Sequence, residues 1–118
     1  MADNEQVEPK NALHVWVIKD LTQERDSCTF EIVNDGQKPR AFNFDKRKRQ
    51  VIETLMRSPV YCASPVRISD VVHILKRDNG LEVETRMFPG NPKTGSGSYG
   101  IYILKSKVTR LEGREVAA

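Results

Sequence analysis

At Gly80 the hydrophobic period of this chain changes, and a fold that satisfies both sides of the change needs helix and sheet together. Before it, Ser69 is the expected N-cap of Asp70-Val71-Val72-His73-Ile74-Leu75-Lys76-Arg77, whose apolar residues recur at three- and four-residue spacing and leave His73, Lys76 and Arg77 on the other side. After it, Leu81 to Phe88 alternates as a half-buried strand, Pro89 to Gly97 reads as a loop, and Tyr99-Gly100-Ile101-Tyr102-Ile103-Leu104 returns as the partner strand. A helix that runs through one glycine into a hairpin sets the expected fold class as α+β.

The upstream half supplies the support. Leu13 to Ile18 is strand-like in its β-branched and aromatic content, with Leu13, Val15 and Val17 on one side and His14, Trp16 and Ile18 on the other. Asp20 to Ser27 reads as a polar connection. Cys28 to Val33 alternates, Asn34-Asp35-Gly36 is a tight-turn signal, and Ala41 to Phe44 is expected to pair back, shortened by Pro39. Asp45 is the expected N-cap of a helix over 46–57, with Val51, Ile52, Leu55 and Met56 as its apolar stripe. Pro59 and Pro65 then leave room for little more than one helical turn, and Val66-Arg67-Ile68 is expected as a short strand.

These segments divide the chain into a disordered N-terminal tail over 1–11, one domain over 12–106 and a charged C-terminal tail over 107–118, from which Val108 and Leu111 dock. The longest apolar runs fall far short of the roughly 20 residues a membrane-spanning helix needs. The acidic, polar N-terminus has no signal-peptide pattern, so the expected location is the cytoplasm. Cys28 and Cys62 stand far apart outside any CxxC or Cys/His cluster, which gives no redox motif, metal site or cofactor.

Charge is divided along the chain more than its net +3 suggests. Residues 1–35 carry three bases against eight acids, and residues 36–118 hold the other 16 bases against eight acids. Such asymmetry points to an anionic partner such as nucleic acid. Lys46, Arg47, Lys48 and Arg49 crowd the start of a helix, where cations oppose the dipole at roughly a few tenths of a kcal/mol each unless an anion such as a phosphate lies nearby.

The stretch from Phe42 to Leu104, about half the chain, resembles small bacterial and phage-type winged helix-turn-helix proteins. The residues that carry the likeness are Lys48-Arg49-Gln50-Val51-Ile52-Glu53-Thr54-Leu55, Val66 to Leu75, Gly80-Leu81-Glu82-Val83-Glu84-Thr85 and Tyr99-Gly100-Ile101-Tyr102. The resemblance implies a winged helix preceded by an N-terminal strand and β-hairpin, and a small DNA-binding protein, a transcriptional regulator of phage or mobile-element type. Its duplex DNA contacts would be Lys46, Arg47, Lys48, Arg49, Arg67, His73, Lys76, Arg77, Arg86 and Lys93, mostly to phosphate, with His73, Lys76 and Arg77 reaching base edges. The remnant between Pro59 and Pro65, in place of a full helix, and Asp70 at the head of the recognition helix favour the alternative, a winged-helix adaptor or inhibitor that binds a protein. A homodimer through the edge of Leu13 to Ile18 is the third expectation.

Enzyme chemistry finds no foothold. Lys93 and Thr94 precede Gly95, whereas a phosphate loop places Lys and Ser/Thr after its second glycine and leads into a helix. His14 and His73 are the only histidines, no serine sits in a nucleophile elbow, and Glu82 and Glu84 share a strand face without a third ligand.

Overall fold

Alternation between Cys28 and Val33 becomes strand β1 (Cys28–Val33), with Cys28, Phe30 and Ile32 buried. Gly36 takes the left-handed conformation that the following turn requires, at φ 74°, and β2 (Arg40–Phe44) returns antiparallel with Phe30 opposite Phe42. The remaining elements follow as α1 (Lys46–Arg57), β3 (Val60–Tyr61), α2 (Ile68–Asn79), β4 (Val83–Phe88), β5 (Tyr99–Leu104) and β6 (Lys107–Arg110). The computed structural model describes residues 8–90, 93, 95 and 97–111. The fold is α+β, with two helices and two three-stranded antiparallel sheets in the orders β2-β1-β6 and β3-β5-β4. One apolar core gathers Phe30 and Ile32, Val51, Ile52 and Leu55, Val72 and Leu75, and Val83 and Tyr102, so both sheets and both helices bury their inner faces together.

Helix α2 ends for a local reason. Gly80 terminates α2 at φ 69° in the left-handed region, and the Leu81 N–H closes the end on the Leu75 carbonyl at 3.2 Å. In α1, Val51, Ile52 and Leu55 enter the core as the stripe predicts, while Met56 stays at the rim, 36% exposed. The opposite flank of α1 is covered too. Leu21 and Thr22 are buried inside the connection read as merely polar, and Thr22 donates its N–H to the Thr54 hydroxyl at 3.0 Å and its hydroxyl to the Gln50 carbonyl at 3.2 Å.

Four expectations need correction. Leu13 to Ile18 is not a strand: Leu13 makes an isolated parallel bridge with Val60, Val15 is buried, and the chain turns at Ile18–Asp20. Since the Asp20 carboxylate accepts from the Trp16 and Val17 N–H groups, local side-chain bonding replaces a ladder here. Val66 to Ile68 is not a strand either; β3 lies earlier, Arg67 stands at the N-cap of α2 with φ 57°, and Ser69 is already inside the helix. Residues 107–110, assigned to the tail, are β6, paired with β1 from Val33 to Phe30. In the segment 8–11, read as disordered, Glu8 accepts hydrogen bonds from Tyr61 and Tyr99; the expectations for 1–7 and 112–118 fall outside the described residues.

No described helix is long and apolar enough to cross a membrane.

Candidate nucleic-acid interface

The four cations that open α1 have different fates. Arg49 is buried, 5% exposed, donating to Glu53 at 2.7 Å and to the Asp26 carbonyl at 2.7 Å. Burial, the largest single influence, would lower its pKa, but the hydrogen bond to Glu53 and the charges of Glu53, Cys28 and Glu24 together outweigh it and leave Arg49 above the ordinary arginine value. Arg47 is half-buried and reaches the Gln50 side chain at 3.2 Å. Lys46 and Lys48 are exposed. Lys46 begins the helix at φ 53°, its N–H held by the Arg25 carbonyl at 2.8 Å, and Asp45 occupies the N-cap position without a side-chain bond. The electrostatic oddity of the sequence is therefore partly resolved inside the protein, because its fourth cation neutralises a buried carboxylate.

On α2 the residues expected to face outward, Asp70, His73, Lys76 and Arg77, are all exposed. Arg67 donates to Asp70 at 3.0 Å, and Arg77 to Asp78 at 2.8 Å. Asp78 is held below the usual carboxylate range, first by the Arg77 hydrogen bond and, less strongly, by the charges of Arg77, Lys48 and His73. The charges of Lys48 on α1 and of His73 and Arg77 on α2 all act on Asp78, and the two helices pack together. The arrangement offers three groups able to carry positive charge around one central acid, a surface suited to a polyanion once Asp78 is bridged or outweighed.

Comparison with known protein families, with curated proteins and with solved structures finds no match to this chain.

Arg86 does not join this surface. It lies opposite Ile101 on β5, on the same side of the sheet as Tyr61, whereas Tyr102 faces the other way and meets Ser69 of α2. Arg86 instead grips Glu84 through two bonds of 3.0 and 3.1 Å, which holds Glu84 below its ordinary pKa. Lys93 is exposed in the hairpin loop, of which residues 91, 92, 94 and 96 fall outside the described residues.

One basic residue near the seam is missing from the sequence-derived set. Arg40 lays its guanidinium 5.1 Å from the Phe42 ring centroid and against Gly80, where an added Cβ would meet its Nη1 at 3.1 Å. It thereby sets a cation at the negative end of α2. Nothing in the local pattern of Pro39-Arg40-Ala41 signals this, since the contact spans 40 residues and depends on how the first hairpin packs on α2.

Proposed function

We propose that the chain is a small winged-helix protein that binds duplex DNA, with α2 as the recognition helix and the β4-β5 hairpin as the wing. The observation that carries the reading is that Lys48, His73 and Arg77 are all exposed and that the charges of all three act on Asp78, although Lys48 is distant from the others in sequence. The order helix, short strand, helix, two-stranded hairpin supports it, with β3 standing where only a helical remnant fits between the prolines. Lys46, Lys48 and Arg77 would contact phosphates, and His73 and Lys76 would reach base edges; Arg49 is assigned to the interior instead. Regulation of transcription in a phage or mobile element is the corresponding biological role.

Titration of a labelled duplex at low salt tests this. Binding should weaken steeply with salt, and Lys48→Ala or Arg77→Ala should each lower the log–log salt slope by about 0.9, the value of one lost phosphate contact. Asp78→Asn should tighten binding, because it removes the acid at the centre of the surface. No binding at low salt would sink the proposal.

A second reading, a protein-interaction module, is favoured by the acids that already engage Arg67, Arg77 and Arg86. It predicts that a partner stays bound when Lys76 and Arg77 are both changed to Glu, as a pull-down would show.

A further inference from the structure

The face of the β3-β5-β4 sheet turned away from α2 carries a set of aromatic rings that DNA binding at the helical seam leaves unused. Tyr61 and Tyr99 project to this side, beside Ile101 and Phe88. His14 lies flat on Tyr61, with centroids 3.7 Å apart and planes 2° apart, and Trp16 extends the stack at 4.9 Å and 10°. Tyr99 stacks on Phe88 at 5.4 Å and tilts against Tyr61. Between these rings lies an open cavity of 330 Å³ with Gly100 in its lining.

The charge at this shelf is opposite to that at the seam. Its lining holds Glu8, His14, Trp16, Tyr61, Ala63, Tyr99 and Gly100, and so contains one carboxylate and neither lysine nor arginine. The Tyr61 hydroxyl donates to Glu8 at 2.5 Å, and the Tyr99 hydroxyl donates to the other carboxylate oxygen. These two bonds keep Glu8 below its ordinary pKa, hence ionised at neutral pH, and leave about half of its acceptor sites open. Trp16 is 58% exposed and continues into exposed Val17 and Ile18, an apolar run of the kind that marks an interaction surface.

We infer that this shelf binds the guanidinium of an arginine side chain presented by a partner polypeptide, packed against the aromatic lining that includes Trp16 and hydrogen-bonded to Glu8. This names the partner's chemistry for the second reading above and rests on it; the DNA proposal stands or falls separately. A guanidinium is planar, cationic and rich in N–H donors, so it satisfies an exposed ring face and an ionised carboxylate at once. A quaternary ammonium has no N–H to give Glu8. An unpaired nucleobase could stack on the rings, but it would bring its phosphate toward Glu8 with neither lysine nor arginine in the lining to offset the repulsion.

Trp16 is the single tryptophan of the chain, so its fluorescence reports on the shelf directly. The probes are acetyl-Gly-Arg-Gly-amide, the same peptide with lysine or the neutral isostere citrulline, and a single-stranded oligo(dC). The arginine peptide should give a saturable change, with the lysine and citrulline peptides about tenfold weaker or more. Glu8→Gln, at an exposed position, should weaken arginine binding by about tenfold and abolish the preference over citrulline. Equal binding of arginine and citrulline, an unchanged Glu8→Gln variant, or tighter binding of oligo(dC) would each overturn the inference. A protein partner captured equally by wild type and Glu8→Gln would retain the protein-interaction reading while removing the arginine assignment.

Discussion

Tyrosine placement shows how single residues acquire properties that their type does not announce. Tyr102 points toward α2, and its hydroxyl is pushed up to about 12 from an ordinary 10.0, first by burial and then by the neighbouring Cys62. Tyr99 reaches about 12 for another reason, its hydrogen bond to the Glu8 carboxylate, and Tyr61 is raised by the same partner. In each case the folded state favours the neutral phenol, so the unfolded chain loses its protons first as pH rises. For Tyr99 and Tyr102 this contribution to stability is complete below pH 10 and is lost progressively between 10 and 12. Tyrosinate absorbance of the native protein should therefore rise at higher pH than that of the unfolded chain, and Glu8→Gln should bring Tyr61 and Tyr99 down while leaving Tyr102 high. A native titration with all three hydroxyls at the ordinary value would contradict this geometry.

At the scale of the element, α1 is a helix clasped on two sides. Its apolar stripe enters the core, and its polar flank is stitched to residues 22–26 by Thr22, Gln50, Thr54 and Arg49. Glu53 anchors that flank, since it accepts from Arg49 and also, at 3.2 Å, from Arg110 at the end of β6. Glu53→Ala would strand the buried Arg49 charge and should destabilise the fold by about 3 kcal/mol, read as a lower urea midpoint. Lys48→Ala, one residue before Arg49 and exposed, should leave that midpoint unchanged while weakening DNA binding. The stripe of α1 was legible in the sequence because a 3.6-residue period needs only local spacing. Its second buried flank was not, because Arg49 and Gln50 look like surface residues until the connection folds over them and satisfies their polar atoms.

At the scale of the molecule, the two sheets are joined where the chain passes from β5 to β6. The buried Ser106 hydroxyl donates to the Asn34 side-chain oxygen and accepts from the Glu82 N–H at 2.8 Å, while the Asn34 amide donates to the Gly80 carbonyl at 2.8 Å. One asparagine, which the sequence marks only as a turn residue, thus ties the first hairpin to the end of α2 and to the last strand. Asn34→Ala should cost about 2 kcal/mol by leaving the Gly80 carbonyl and Ser106 without these partners, and denaturant unfolding measures it. By itself the sequence determined the two helices, the first hairpin and the β4-β5 pair, because each depends on a period, a turn residue or a helix stop within a few positions. Tertiary structure decided the rest: that 107–110 completes a sheet, that Leu13 to Ile18 does not form a strand, that Arg49 turns inward, and that Glu8 meets Tyr99 across 91 residues. The physical reason is common to these cases. Edge pairing, ion pairs and ring stacking are satisfied by groups brought together only after the core has closed, so no local spacing encodes them.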